Sequence, residues 1–436
     1  MQAMPRIGVA LYKGGSPFSK EGNFACEFRG VPFEFDSASS LQGQTLWITN
    51  CDWGDLLKAG LHKSPKIAHD GYYRTKLFQM MHEVGINHLS PDKQASLLAE
   101  VLGNASEMAR LQLGLTEHPT KGIFQVVAQR YAAQEPAAGS PVHSVAEQAS
   151  QRYTACERER SFKDAETFSF WFPRKAYAQR ILTTPLPDNL TLTRIKPEYM
   201  PYGGTDVISL VEWAKEKNLP IFARINILAL EPTIGRLLNY GSGAQTVGAA
   251  EGRNMREWCS LPELEALSQA GDIRVLDVTC ARGWTSPGLL PRNSKLTSVS
   301  YAYGLVSENL WYGMTRKPTA QAPAGKTLAT AWIQATDRML CLSVAERLYR
   351  LGFEIVNYGN GRVTVVCPKS VRALIPAAAQ EEGLLYPGSL EGLDLPPFQS
   401  QNPGHVMQHL LSTRAYDRII KVDQQTLAEL GSLHGV

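Results

Sequence analysis

Residues 305–369 read LVSENLWYGMTRKPTAQAPAGKTLATAWIQATDRMLCLSVAERLYRLGFEIVNYGNGRVTVVCPK, and the fold is decided by three parts of this stretch. A short apolar segment closes on Trp311-Tyr312-Gly313. A helix is predicted from about Thr327 to Leu351. Trp332, Met339, Leu340, Leu342, Val344 and Leu348 recur broadly on one side of it, and Gly352 supplies the stop. A hairpin follows, with Phe353–Tyr358 turning through Gly359-Asn360-Gly361 into Val363–Val366. Asn-Gly suits the positive-φ positions of a tight two-residue turn.

The chain around this stretch has 436 residues, enough for two or three domains with cores of their own. No apolar run is long enough to span a bilayer, and the N-terminus lacks a basic stretch followed by an apolar core, so no membrane partner is expected. Seven cysteines, from Cys26 to Cys367, are odd in number and never spaced as a metal knuckle, which points to a reducing cytoplasm. Net charge is only +3, but its distribution is uneven. Between Ala281 and Ala373 stand twelve bases, among them Arg316, Lys317, Arg362 and Lys369, against the four acids Glu308, Asp337, Glu346 and Glu354. A phosphate backbone is the natural partner of such a stripe. The bland alternative is a solvated face balanced by acids from elsewhere.

The order of these parts resembles the family B DNA polymerases, in particular the protein-primed enzymes of phages and linear plasmids. Their fingers carry Lys-x-x-x-Asn-Ser-x-Tyr-Gly, then comes a palm helix, then a hairpin tip reading Tyr-x-Asp-Thr-Asp-Ser. Here Asn309, Tyr312 and Gly313 stand in the first pattern, Thr330-Ala331-Trp332 open the helix, and Tyr358 opens the tip. The departures carry the functional expectation. Leu305 takes the place of the fingers Lys, and Asn360 and Arg362 take the places of the two tip aspartates. Polymerase chemistry needs carboxylates to hold two divalent ions close together. Asn offers one neutral carbonyl, and Arg sets a positive charge where cations should lie. The resemblance therefore implies a polymerase frame without its metal site, needing no cofactor.

The same family opens with an exonuclease domain. Residues 4–60 are predicted to be β-rich, and Tyr12 and Gly14 fall on that domain's first Asp and Glu. Asn50, Trp53 and Gly54 fall on its Asn, aromatic and Asp, with Asp55 one residue late. A helix over 90–113 is capped by Ser90 and Pro91 and followed by Gly114. There Glu100 and Asn104 stand for the family's Tyr-x-x-x-Asp pair, so hydrolysis is expected to be lost along with synthesis. Residues 132–150, rich in Ala, Pro and Ser, form the expected linker between an exonuclease-like domain at 1–131 and a palm with reduced fingers at 151–380. A thumb-like region at 381–436 completes the chain.

Within the palm, ETFSFWFPRK resembles the family's Asp-x-x-Ser-Leu-Tyr-Pro: Phe172-Pro173 fit Tyr-Pro, and Thr167 falls on the catalytic Asp. Glu166 and Asp164 stand nearby as carboxylates that a bulge could bring back. Ser260 with Glu263 is predicted to form a capping box and Gly271 a C-cap before a strand. The loop 240–252 lacks the Lys-Ser/Thr of a phosphate-binding P-loop. His405 and His409, at i,i+4, have no third metal ligand in view. Tyr301, Tyr303, Trp311 and Tyr312 offer either base-stacking faces or core.

The expected fold is α+β, an RNase H-like exonuclease-type domain followed by a right-hand polymerase palm with reduced fingers and thumb. The resemblance implies a catalytically inactive polymerase relative that binds nucleic acid, DNA in the first instance. It would act as an accessory, regulator or nucleoprotein component in the replication of a phage or mobile element, with other replication or phage proteins as further expected partners. The expected contacts are Arg174, Lys175, Asn309, Tyr312, Gly313, Arg316, Lys317, Arg362, Lys369 and Arg414. Two alternatives stand beside this one: a structural subunit that kept the fold without DNA binding, and an active polymerase with relocated carboxylates.

Overall fold

The computed structural model describes residues 6–68, 77, 80–81, 86–113, 135–156, 158–172, 174–182, 184–188, 191–238, 258–285, 302, 304–308, 311 and 326–386. The architecture is mixed α+β. Internal contacts divide the chain into two compact units, the first containing Met1–Gln129 and Gly288–Gly313, the second Arg130–Pro287 and Met314–Leu411.

In the first unit RIGVAL forms β1 (Arg6–Leu11), buried at every position but the first, as a strand covered on both faces must be. With β2 (Asn23–Glu27), β3 (Phe33–Phe35) and β4 (Thr45–Thr49) it makes a sheet of order β3-β2-β1-β4. β1 runs antiparallel to β2 and parallel to β4, and β2 runs antiparallel to β3. Tyr12, Phe35, Leu41, Trp47, Leu56 and Ile67 fill one core cluster. A short helix α1 (Trp53–Lys58) follows β4, and α2 (Pro91–Leu113), with the boundaries its punctuation predicts, lies on β1 and β2.

Gly103 sets how closely α2 approaches. A Cβ there would stand 2.2 Å from the Phe28 ring and 2.7 Å from Phe28 Cβ, too near the backbone for rotation of the ring to relieve. Alanine's helix preference favours Gly103→Ala by about 1 kcal/mol, but overpacking of this kind costs about 1–3 kcal/mol. We expect a net loss of up to about 2 kcal/mol in urea denaturation, because the overlap with the Phe28 ring and Cβ outweighs the propensity.

In the second unit the strands, in chain order, are β5 (Thr154–Ala155), β6 (Ala165–Trp171), β7 (Leu186–Pro187), β8 (Leu192–Arg194), β9 (Ile221–Leu230), β10 (Cys259–Ser260), β11 (Gly271–Ala281), β12 (Trp284–Thr285), β13 (Glu354–Tyr358) and β14 (Arg362–Pro368). They form two four-stranded sheets, β5-β13-β14-β6 and β10-β9-β11-β8, and a two-stranded ribbon β12-β7. All these pairings are antiparallel. The helices are α3 (Pro141–Ala149), α4 (Arg174–Leu182), α5 (Val207–Glu216), α6 (Pro232–Leu238), α7 (Leu261–Ser268), α8 (Leu328–Arg350) and α9 (Ile375–Glu381).

Helix α8 is the element the others pack around: α3, α4, α6, α7, β7, β10, β13 and β14 all touch it. Thr327 caps it, accepting the Thr330 N–H at 3.1 Å, and Gly352 follows its end at φ 99°. The one-sided apolar pattern expected of it holds only toward the C-terminus, where Ser343, Arg347 and Arg350 are exposed. From Leu328 to Ala335 every residue is buried, and the small side chains of Ala329, Ala331 and Ala335 let neighbours close in all round.

Three local expectations are corrected. Residues 141–149 of the expected linker are a helix, α3, whose cap Ser140 accepts the His143 N–H and whose first residue is Pro141. Ser140-Pro141 was the legible start signal. Ser260 precedes α7 but makes no side-chain cap bond, and Glu263, the other half of the expected box, pairs with Arg338 instead. Gly271 is not a C-cap: it opens β11, where a Cβ would lie 2.1 Å from the Ala229 carbonyl oxygen. No disulfide joins any of the seven cysteines, and no described helix is long and apolar enough to cross a membrane.

Candidate functional site

The β13–β14 hairpin closes as its Asn-Gly predicts. Tyr358 pairs with Val363, the Gly359 N–H donates to the Arg362 carbonyl at 3.0 Å, and Asn360 (φ 56°) and Gly361 (φ 69°) occupy the two left-handed positions between them. Gly359 is required for a second reason. At φ 122° a Cβ would meet the Arg152 carbonyl oxygen at 2.4 Å, so segment 152–153 lies directly against the turn.

Beneath the tip sits Asp337 of α8, 2 % exposed. Its carboxylate accepts the backbone N–H of Gly361 at 2.8 Å, the N–H of Asn360, and the Tyr177 hydroxyl at 2.7 Å. Burial raises its pKa, against the lowering influence of these three donors and of Arg338. The Tyr177 hydroxyl is lifted well above its ordinary value, first by burial and then by the charge of Asp337. Beside it, Arg338 and Glu263 form an ion pair of 2.7 Å in which both side chains are 1 % exposed. Arg338 also donates to the Gln151 carbonyl, and the Gln151 amide donates to the Tyr153 carbonyl at 2.9 Å.

At the outer edge of the tip, the Arg362 guanidinium lies 4.9 Å from the centroid of Tyr153 and 5.4 Å from that of Trp171. The register sets Trp171, not Thr167, across from Arg362; Thr167 pairs with Val366 and Glu166 with Cys367. At about 3.3 Å per residue, Thr167 lies roughly 13 Å and Glu166 roughly 17 Å along the strand from the tip. Thr167 is thus not brought to Asn360 and Arg362, because β6 runs straight through to Trp171 without a bulge. Among the described residues no three His, Cys, Asp or Glu side chains gather in one place.

In the first unit, Tyr12 and Asn50 meet. The Tyr12 N–H donates to Asn50 Oδ1 at 2.8 Å, and Asn50 Nδ2 donates to the Tyr12 carbonyl at 2.9 Å, tying the end of β1 to the end of β4. Gly14 (φ 63°) lies in the turn after β1 and Gly54 in α1, and a Cβ at either would meet nothing within 4 Å. Asp55, the carboxylate one residue late, is half-exposed and paired with Lys58 at 3.1 Å. Asn104 donates to the Glu100 carbonyl at 2.8 Å within α2.

The basic stripe is thinner than the sequence suggests. Lys326 pairs with Glu147, Arg338 with Glu263, Arg347 with Glu382 and Arg350 with Glu346. Arg282 and Lys369 are exposed. Leu305 and Trp311 are buried, so Trp311 offers no stacking face. Arg174 and Lys175 fall in the first turn of α4, with side chains outside the described ones. Asn309, Tyr312, Gly313, Arg316, Lys317, Arg414, His405, His409 and the loop 240–252 lie outside the described residues.

The sequence reading missed Asp337, Tyr177, Trp171, Arg152 and Tyr153. An Asp-Arg pair in the middle of a helix otherwise buried there was the available signal for the first.

No family model matches the chain, and no curated protein matches it. Among solved structures it is similar to Phi29 DNA polymerase complexed with primer-template DNA and incoming nucleotide substrates, at 9 % identity and TM-score 0.41, over 86 % of this chain and 82 % of that one. It is also similar to Phi29 DNA polymerase with primer-template DNA alone, at 10 % identity and TM-score 0.32, over 65 % of this chain and 54 % of that one. At these scores the likeness assigns no residue a role.

Proposed function

We propose that the chain is a catalytically inactive relative of the protein-primed family B DNA polymerases that binds nucleic acid, an accessory or nucleoprotein component of a phage or mobile element. In this reading residues 1–131 are the exonuclease-like half and 151–380 the palm, with a thumb-like region after it. Its support is the collinear set of degenerate motifs. To these add a mixed sheet covered by a helix in the first unit, and a buried helix leading into a tight hairpin in the second.

The observation that carries it is the hairpin tip. Asn360 and Arg362 stand there, and the carboxylate beneath, Asp337, is engaged by three donors. Such a carboxylate has little capacity left for a divalent ion, and a guanidinium repels one.

Primer extension with Mg²⁺ or Mn²⁺ should give no templated product, whereas incorporation abolished by Glu166→Ala would overturn the inactive reading. DNA retention should fall about 100-fold or more on reversing Arg316, Lys317 and Arg362 to Glu, since each lost phosphate contact flattens the salt slope by about 0.9. The ion pairing of four stripe bases favours a second reading, a subunit that kept the fold without DNA binding. Under that reading the same reversal leaves function intact.

A further inference from the structure

Arg152 and Arg362 converge on one ring. Their guanidinium carbons lie 5.2 Å and 4.9 Å from the Tyr153 centroid, and Arg362 also reaches Trp171. The convergence is built by the backbone: β5 is laid beside Tyr358 through Thr154, and the Arg152 carbonyl is pressed on Gly359. Gln151 is held on both sides, by Arg338 and by its own bond to Tyr153. The two cations are therefore mounted on a braced segment and a hydrogen-bonded turn rather than on mobile loops.

Neither guanidinium makes a hydrogen bond or ion pair with any described residue, and the Nε of each is buried without an acceptor. The nearby charges among the described residues do not neutralise them. Asp337 faces inward to the turn amides, Glu263 belongs to Arg338, and Glu166 lies five pairs along the strand. Two guanidiniums that no described carboxylate pairs with, each with a buried Nε–H lacking an acceptor among the described residues and oriented by aromatic faces, are a costly arrangement unless an anion completes it. Stacking accounts for their orientation but leaves those donors unmet.

We infer that Arg152, Arg362 and Tyr153 form a phosphate-binding site at the hairpin tip, taking a phosphate group of a nucleotide or of a nucleic-acid strand. Phosphate matches the planar fork of guanidinium bidentately, which two lysines would not reproduce. The inference deepens the nucleic-acid reading above, since it concerns the same tip.

Calorimetric titration with inorganic pyrophosphate, without divalent cations, tests it. The unaltered chain should bind, and Arg152→Gln and Arg362→Gln should each weaken binding by about tenfold or more, with Arg152→Lys also weakened. Thermal unfolding checks that each variant folds. If Arg362→Gln does not, Arg152→Gln, which leaves the hairpin sequence untouched, decides alone. Competition then distinguishes the source. If a 5′-phosphorylated oligothymidylate displaces pyrophosphate better than its unphosphorylated twin, the strand end is the ligand; if the twins compete equally, the strand's internal phosphates are; if neither competes and thymidine triphosphate does, the ligand is a free nucleotide's phosphate. Absence of pyrophosphate binding, or equal binding by Arg152→Gln, overturns the site. No pyrophosphate binding by the unaltered chain, with DNA retention intact, refutes the site alone, while pyrophosphate binding without DNA retention refutes the nucleic-acid reading alone.

Discussion

Asp337→Ala lowers the stability of the second unit by about 3–5 kcal/mol, the range for removing a buried charged partner from its donors. The carboxylate serves the Asn360 and Gly361 N–H groups and the Tyr177 hydroxyl together; alanine leaves the two amides buried without an acceptor and the hydroxyl with only its longer contact, at 3.3 Å, to the residue-337 carbonyl. Each such group costs about 1–3 kcal/mol, and relaxation of the turn recovers part of the sum. Asp337→Asn should cost less, about 2–3 kcal/mol, because one carbonyl remains while an NH₂ is turned toward donors. Urea denaturation measures the loss, and hydrogen exchange at Gly361 locates it, since that amide should lose protection first. A change under about 1 kcal/mol would show that the turn holds itself.

Glu263→Leu should cost a comparable amount, about 3–5 kcal/mol, by leaving the Arg338 guanidinium buried without its counter-charge. Arg338→Met costs in the same way and also frees the Gln151 carbonyl, to which Arg338 donates. The pair replaced together, Glu263→Leu with Arg338→Met, should lose far less than the two single losses added, because a well-packed apolar pair removes both desolvation penalties. A double-mutant cycle in urea measures the coupling. Strict additivity would mean that the two side chains are not energetically joined.

Much of the framework could be read from the residues. The punctuation Thr327 to Gly352 located α8 to within a residue, and the positive-φ demand of Asn360-Gly361 located the turn, although the second strand runs two residues past the expected Val366. The β-rich reading of 4–60 announced strands, and Ser90-Pro91 announced α2. Pair geometry was not legible. Matching Phe172-Pro173 in the sequence put Thr167 at the tip, yet the straight run of β6 takes that place with Trp171. Glu263 looked like a capping residue because local grammar cannot see Arg338, seventy-five positions on, which claims it. Arg152 and Tyr153 lay just after an apparent linker, where nothing local signalled that Gly359 would be packed against them.

The tether from Asp337 to the turn has an evolutionary implication. A tip anchored from the interior of its own helix keeps its shape without help from whatever its outward side chains carry. Structure and chemistry are thereby uncoupled at this corner. Inheritance could alter the side chain at 362 while the scaffold beneath it stayed assembled, and each new residue there would be presented in the same orientation as the last.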